Sequence, residues 1–206
     1  MTTQLLFDGP PAAPLTVVLA HGAGAPMDHP WMNAVAAGLA ERGLRVARFE
    51  FPYMARRRAT GKGGGPDRPP VLLDAWRAVI DRLGGGDELV IGGKSMGGRI
   101  ASMVADEAAV RGLVCLGYPF HPPGRPERLR TAHLADLRTP TLILQGSRDP
   151  FGNAQEVAGY ELSPSIRLHW LEDGDHGFKP RRASGRTLEQ NLAEAVEEIA
   201  RFVGSR

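Results

Sequence analysis

The sequence predicts an α/β fold: a mostly parallel, doubly wound sheet of about six or seven strands with helices on both faces. Four short apolar runs lack alternation, which is typical of parallel strands buried on both sides. Amphipathic helical patterns separate these runs, and this order favours right-handed strand–helix–strand connections. The buried runs are Leu15–Ala20, Leu89–Ile91, Leu113–Leu116 and Thr141–Leu144.

Weaker patterns supply the remaining predicted elements. In the last predicted helix Thr187 and Gln190 have the spacing of a capping box, ahead of an apolar face that begins at Leu188. Two other runs alternate between apolar and polar residues, so we expect them nearer the sheet edges. These additional elements are strands at Leu44–Phe49 and Ile166–Trp170 and helices at Pro30–Arg42 and Val71–Leu83.

Length and composition predict one domain spanning residues 1–206, because 206 residues with 42% apolar content suit a single core. The connections at 54–70 and 118–139 are rich in glycine and proline, so neither is expected to be helical throughout. Both are too short for a separate cap domain. We therefore expect a minimal core with no large lid.

Several classes of protein are disfavoured by what the sequence does not contain. Residues 1–14 do not resemble a secretory signal, and Leu15–Ala20 is far too short to cross a bilayer. The single cysteine, Cys115, excludes an internal disulfide and fits a reducing compartment. We therefore expect a cytoplasmic protein without a membrane partner. No Cys/His cluster has metal-ligand spacing, so neither a metal nor another cofactor is expected.

The most informative segment joins a buried run to a helix-capable stretch through a sharp turn at Ser95. Glycines stand two positions before and after this serine, at Gly93 and Gly97. A side chain at either position would collide with neighbouring backbone if the serine projected from a strained strand-to-helix turn. The N-terminus of the following helix would favour negative charge developing there. Ser95 is therefore the predicted nucleophile.

A nucleophilic serine needs a base, and the base needs a third group that orients it. His176 follows the predicted strand at Ile166–Trp170, and Asp149 follows the strand that ends at Leu144. Parallel strands end at one edge of a sheet, so these residues are predicted to meet Ser95 there. Asp173, three residues before His176, is the alternative acid, and Asp175 is a poorer one because adjacent side chains pair badly.

Backbone N–H groups are predicted to hold the oxyanion that such a serine would create. His21-Gly22-Ala23-Gly24 follows the first buried strand, and its small residues allow close approach to an acyl oxygen. We assign the donors as the N–H groups of Ala23 and Met96. Removing one donor of this kind typically costs about 3 kcal/mol of transition-state stabilisation.

Further residues near these segments are candidates for the wall of the substrate pocket. His21, Tyr53 and His121 are predicted as pocket-lining residues, although His21 could instead brace the oxyanion loop through its backbone. A Ser–Lys mechanism through Lys94 is disfavoured because adjacent side chains at a sharp turn diverge. Arg99 is expected to form a surface contact or a structural ion pair on the helix after Ser95.

The pattern Gly93-Lys-Ser-Met-Gly97 with these partners resembles the G-x-S-x-G turn of the α/β-hydrolase superfamily, in which serine, acid and histidine follow in this order. That resemblance extends from Leu15 to the last helix, and it implies Ser95, Asp149 and His176 as the triad. His21–Gly24, 51–54 and 145–149 resemble a small dienelactone-hydrolase-like branch. This branch includes a testis-expressed protein and the hydrolase-like domain of a non-specific-lethal chromatin complex subunit, and some members are thought to act as complex subunits.

Basic residues concentrate in three segments that leave the strand ends: 54–70, 118–130 and 177–186. The first holds five cations and one acid, the second three and one, and the third four and none. These cations either solubilise surface loops or form a positive rim that steers anionic substrates to the site. Nucleic-acid binding is unlikely on this pattern, because aromatic residues are not interleaved with the cations.

Together these patterns predict a serine hydrolase that cleaves a small ester, thioester or related acyl compound through an acyl-enzyme. The partner would be a small acyl molecule, with a preference for anionic ones if the positive rim operates. The alternative is a non-catalytic interaction module that retains the fold. Oligomeric state and substrate identity do not follow from the sequence, because many chemistries share one fold and one set of side chains.

Overall fold

Seven strands form one sheet in the order β1-β3-β2-β4-β5-β6-β7 in the computed structural model, which describes residues 4–206. All neighbouring strands are parallel except β1, which runs antiparallel to β3. The α/β prediction with a mostly parallel sheet is thereby confirmed. The strands are β1 Leu5–Asp8, β2 Thr16–Ala20, β3 Arg45–Phe49, β4 Leu89–Lys94, β5 Gly112–Leu116, β6 Thr141–Gly146 and β7 Ile166–Leu171.

Helices cover both faces of this sheet, because successive residues of each buried strand point to opposite sides. Val17 and Leu19 of β2 pack in one apolar cluster with α1 and α6, while Val18 belongs to the other with α2, α3 and α4. The helices are α1 Pro30–Glu41, α2 Pro52–Thr60, α3 Pro69–Arg82, α4 Met96–Ser102, α5 Ala154–Val157 and α6 Leu188–Gly204. Short 3₁₀ turns lie at Ala132–Leu134 and Arg182–Ser184.

The predicted boundaries agree closely with the observed elements where the sequence carries a local signal. The capping box at the start of α6 is formed, since the Thr187 side chain accepts from the Gln190 N–H and the Gln190 side chain accepts in return. Residues 54–60 of the segment at 54–70 belong to α2, which ends at Thr60 and is capped by Gly61 with φ of 64°. The fold has no large lid, as predicted.

Strand β1 was not predicted from the sequence. It pairs with β3 from Leu5↔Phe49 to Asp8↔Val46. Its four residues are too few to show a period, and only tertiary pairing makes them a strand. Because β1 covers β3, the strand predicted at Leu44–Phe49 is second from the edge, which agrees with the expected place nearer the sheet edge. The strand predicted at Ile166–Trp170 is at the edge, as β7.

Two expectations concern residues that are only partly described. The predicted absence of a secretory signal concerns residues 1–14, and the predicted single domain spans residues 1–206. Both ranges include residues 1–3, which lie outside the described part of the chain. Within residues 4–206, no helix combines the length and the apolar character that crossing a membrane requires.

Glycines bring the turn after β4 into close contact with β2. A Cβ on Gly93 would lie 2.1 Å from the carbonyl oxygen of Ala20, and a Cβ on Gly97 would lie 2.5 Å from the same oxygen. Both clashes are with backbone, which cannot rotate away as a side chain can. The predicted collision at these two positions is therefore present in the structure.

Replacing Gly97 with alanine should lower the free energy of unfolding by about 3 kcal/mol, because the added methyl group overpacks a backbone contact. Urea unfolding followed by circular dichroism measures this. The matched control is Gly64→Ala, since nothing lies within 4 Å of a Cβ at Gly64. Equal stability of the two variants would contradict the close contact at Gly97.

Candidate active site

Ser95 occupies the turn between β4 and α4 in a backbone conformation that L-residues rarely adopt, with φ of 51° and ψ of −115°. Its N–H donates to the carbonyl of Leu116 at 2.9 Å, which ties the turn to β5. Strained conformations of this kind persist only where the surroundings impose them, and they concentrate at functional sites. The turn therefore presents the Ser95 hydroxyl beyond the ends of β4 and β5.

Three side chains from different strand ends form one hydrogen-bonded chain. The His176 Nε2 atom lies 2.8 Å from the Ser95 Oγ, and its Nδ1 atom lies 2.8 Å from Asp149 Oδ2. Asp149 follows β6 and His176 follows β7, so the parallel sheet brings them to the same edge. The structure thus places the predicted base within hydrogen-bonding distance of both the predicted nucleophile and the predicted acid.

Asp149 is fully buried, and neighbouring donors hold its carboxylate in place. Its Oδ2 atom accepts from the Gln145 side chain at 3.0 Å, and its Oδ1 atom accepts from the Phe151 N–H at 2.9 Å. With these bonds in place, Asp149 Oδ2 also faces the His176 imidazole. The role of Gln145 was missed by the sequence analysis, although its position four residues before Asp149 at the end of β6 was visible.

The alternative acid, Asp173, is engaged elsewhere. Its carboxylate pairs with Arg148 at 2.8 Å and with Arg181 at 2.5 Å, and it also accepts from the Arg181 N–H. The hydrogen bonds from Arg181 lower the pKa of Asp173 to about 2. Asp175 accepts from the N–H groups of Gly177 and Lys179, and so shapes the loop rather than contacting the imidazole.

Contacts to the backbone and ring of His176 fix the loop that carries it. Lys94 donates from Nζ to the His176 carbonyl at 2.6 Å, and the Trp31 indole donates to the Gly177 carbonyl at 2.9 Å. The Phe151 ring lies 4.2 Å from the imidazole, centroid to centroid. None of these three contacts was predicted, because each joins residues that are distant in sequence.

Lys94 faces the histidine loop and not the serine, which agrees with the argument against a Ser–Lys pair. Its ammonium group lies 5.6 Å from the centre of the Trp31 ring and 5.8 Å from that of Phe178. Such distances allow cation–π attraction. Desolvation still dominates and lowers the pKa of Lys94 to about 8, despite the opposing charges of Asp149 and Asp175.

The loop after β2 directs its carbonyls away from the space above Ser95. Tyr53 donates to the Ala23 carbonyl at 2.9 Å, and the His21 Nδ1 atom lies 2.6 Å from the Gly22 carbonyl. The Ala23 N–H has no hydrogen-bond partner among residues 4–206. Met96 is the first residue of α4, where an N–H has no partner within the helix. Both predicted donors are therefore free to bind a ligand.

A cavity of about 390 Å³ opens above the Ser95 hydroxyl. The predicted donor Ala23 lines it, as do Ser95 and His176, so an acyl group could reach the hydroxyl and one donor together. The remaining wall is mostly apolar. The lining residues are Gly22, Ala23, Gly24, Ala25, His29, Trp31, Met32, Lys94, Ser95, Phe151, His176 and Gly177.

The three residues predicted to line the pocket are not part of this wall. His21 is fully buried and its Nε2 atom accepts from the Phe51 N–H, so both ring nitrogens brace backbone. Tyr53 is also buried, and desolvation raises its pKa to about 12. His121 is enclosed between the Pro122 carbonyl and Glu156. Their polar atoms bind the protein itself. The bracing of the oxyanion loop weighed for His21 is therefore what the structure shows, whereas sequence position alone misplaced Tyr53 and His121.

A second serine–histidine contact lies behind the turn, where Ser102 Oγ is 2.8 Å from His133 Nε2. Ser102 is buried and donates to the Arg99 carbonyl at 2.7 Å. Among the described residues no carboxylate contacts His133. Its pKa is lowered by desolvation and by the charge of Arg99. This pair lacks the orienting acid that the Ser95 site has, and we read it as structural.

Ion pairs neutralise much of the charge in the basic segments. Arg56 pairs with Asp67 at 2.5 Å, and Arg58 pairs with Glu50 at 2.6 Å. Arg186 of the third segment pairs with Glu194. Arg56 pairs with an acid of its own segment, whereas Arg58 and Arg186 have carboxylate partners from outside their segments, a cancellation that counting within a segment cannot detect.

Comparisons with known proteins identify the class of protein to which this site belongs. The family model described as an alpha/beta hydrolase domain matches residues 13–204. The chain belongs to the alpha/beta hydrolase family. A rat relative named "Putative protein-lysine deacylase ABHD14B" is 30% identical over 170 residues, which cover 80% of this chain and 76% of the relative.

Solved structures agree with this fold. An alpha-beta serine hydrolase homologue from Coxiella burnetii superposes with a TM-score of 0.72 at 20% identity, covering 97% of this chain and 91% of that one. A serine hydrolase without a lid from Xanthomonas campestris has a TM-score of 0.67 at 22% identity, covering 95% and 88%. Est1E from Butyrivibrio proteoclasticus, with ferulic acid bound, has a TM-score of 0.69 at 17% identity, covering 99% and 96%.

The lowered pKa of Lys94 predicts a pH-dependent stability. The folded state disfavours the charged amine, so between pH 8 and the unfolded pKa near 10.5 the unfolded chain binds more protons and stability rises with pH. The unfolding free energy of the wild type relative to Lys94→Met should rise by about 2 kcal/mol between pH 8 and 10. Urea titrations at both pH values measure it, and a difference that does not change with pH would contradict burial of the charge.

Proposed function

We propose that this protein is a serine hydrolase that cleaves small carboxylic esters, thioesters or related acyl compounds. The observation that carries the proposal is the continuous chain from Ser95 Oγ through His176 to Asp149, with 2.8 Å at each link. Its opening into a largely apolar cavity adds to that support. The family membership and the serine hydrolase and esterase names of structural neighbours agree with it.

In the proposed reaction His176 Nε2 takes the proton of the Ser95 hydroxyl as Oγ attacks the acyl carbonyl carbon. Asp149 holds the imidazole in the required orientation and stabilises its cation. The N–H groups of Ala23 and Met96 bind the oxyanion of the tetrahedral intermediate. Collapse of the intermediate passes the proton from His176 to the departing alcohol or thiol, and leaves the acyl group on Ser95.

Hydrolysis of the acyl-enzyme repeats these steps with water. His176 takes a proton from the attacking water, the oxyanion forms again, and the proton returns to Ser95 Oγ as the carboxylic acid leaves. The same residues thus serve both halves of the cycle. Each proton removed from a nucleophile is returned to a leaving group.

The substrate class is bounded by the cavity and by the relatives. A volume of about 390 Å³ with few polar groups accommodates a small acyl chain better than a strongly polar one. The rat relative's name points to acyl groups on lysine, so an acyl-lysine peptide belongs in the substrate panel beside esters and thioesters. The resemblance of the motifs to the dienelactone-hydrolase-like branch remains part of this proposal.

Ser95→Ala should abolish labelling by a fluorophosphonate probe and lower kcat/KM for an activated ester by at least about 10⁴-fold, because no other hydroxyl among residues 4–206 is paired with both a base and an acid. Asp149→Asn should lower kcat by about 10⁴-fold through loss of the correct imidazole orientation. Ser102→Ala is the matched control and should retain labelling.

Labelling that persists in Ser95→Ala but disappears in Ser102→Ala would overturn the assignment of the nucleophile. A folded wild-type protein that neither reacts with the probe nor hydrolyses any member of the panel would favour the alternative, a non-catalytic interaction module on the hydrolase fold.

We also propose that the cations left unpaired in the three basic segments favour anionic substrates by steering. Raising the salt concentration should then lower kcat/KM several-fold for a carboxylate-bearing ester, because screening shortens the reach of surface charges. A neutral ester with the same acyl chain is the control and should respond weakly. The same salt dependence for both esters would eliminate steering.

A further inference from the structure

Arg99 is a partly enclosed cation without a partner. It lies one turn after Ser95 on α4, and its Nε atom is buried without a hydrogen bond. No carboxylate among residues 4–206 pairs with its guanidinium, although an ion pair was one of the two expectations from the sequence. By contrast, the buried Arg48 binds Asp8 and Asn33. An unsatisfied buried donor on a charged group calls for an explanation, such as a bound ion.

A second unpaired cation faces the same region. Arg130 has its backbone fixed on both sides, because its N–H donates to the Phe120 carbonyl at 2.8 Å and its carbonyl accepts from the Tyr118 hydroxyl at 3.0 Å. No acid among the described residues pairs with its side chain. Contacts join the two arginines' segments, because the Tyr118 hydroxyl that binds the Arg130 carbonyl lies 3.5 Å from His133 Nε2, and this atom lies 2.8 Å from the Ser102 hydroxyl that donates to the Arg99 carbonyl. The pKa of Arg130 is lowered by desolvation and then by the charge of Arg99.

The groups around this pair contribute no negative charge. Desolvation raises the pKa of the Tyr118 phenol, which therefore stays neutral, and the charges of both arginines act on it. The pKa of His133 is lowered, so this imidazole adds no positive charge near neutral pH. Ser102 is neutral and bonds the Arg99 carbonyl. Two fixed positive charges thus remain uncompensated.

We propose that Arg99 and Arg130 form a binding site for one phosphoryl group, between α4 and the segment at 118–133. Two guanidinium groups match the charge of a phosphate dianion, and each offers a fork of donors suited to its oxygens. A carboxylate would balance only one of the two charges. None of these residues lines the cavity above Ser95, so the phosphoryl group binds apart from the acyl substrate. The inference does not depend on the proposed hydrolase activity.

Calorimetric titration of the full chain with inorganic phosphate, at constant ionic strength and pH 7.5, tests the site. The wild type should bind one phosphate saturably, and Arg99→Gln and Arg130→Gln should each raise the dissociation constant for phosphate at least tenfold. The matched control is Arg125→Gln, an exposed arginine of the same segment, which should change it less than twofold. Arg99→Lys keeps the charge but loses the fork, and should give an intermediate value.

Further ligands test two points: whether the phosphoryl group belongs to a monoester or to the free ion, and whether the site prefers a dianion to a carboxylate. Phenyl phosphate binding at least as tightly as inorganic phosphate would identify a phosphate monoester as the ligand class, while a clear preference for inorganic phosphate would identify the free ion. Acetate should bind at least tenfold more weakly than either. Three outcomes would each overturn the proposal: no saturable phosphate binding to the wild type, Arg99→Gln and Arg130→Gln variants that bind phosphate as tightly as the wild type, or acetate binding as tightly as phosphate.

Discussion

The site depends on the close approach of three backbone segments at the turn that carries Ser95. Gly93 and Gly97 both lie against the Ala20 carbonyl at distances that leave no room for a Cβ. The Ser95 N–H is bonded to the end of β5 in the same place. These contacts impose an unfavourable backbone conformation on Ser95, and they set its hydroxyl beside the loop after β2 that holds Ala23.

The other two side chains reach Ser95 because the sheet is parallel at β4, β5, β6 and β7, so that consecutive strand ends meet at one edge. Precise placement then comes from contacts outside the chain of three. Gln145 fixes the carboxylate of Asp149, and Lys94 fixes the carbonyl of His176. Lys94 does this at the cost of desolvating its own charge, which its lowered pKa records.

Charge is distributed less simply than the basic segments indicate. Arg58 and Arg186 are paired with carboxylates from outside their segments, whereas Arg99, which was expected to form a surface contact or an ion pair, has no carboxylate partner among residues 4–206. Counting charges along a segment overestimates some local fields and overlooks others. Only the partners across space show which cations remain available to a ligand.

The sequence by itself determined the elements whose signal is local: the four buried runs, the capping box of α6, and the glycines around Ser95, each read from spacing and side-chain type. The order of Ser95, Asp149 and His176 after successive strands was equally legible, since parallel strands share an edge. Only the tertiary structure decided that Leu5–Asp8 is a strand, that Tyr53 braces backbone, and that Arg99 lacks an acid. These outcomes depend on which distant groups fill each hydrogen bond, and a linear pattern carries no information about those partners.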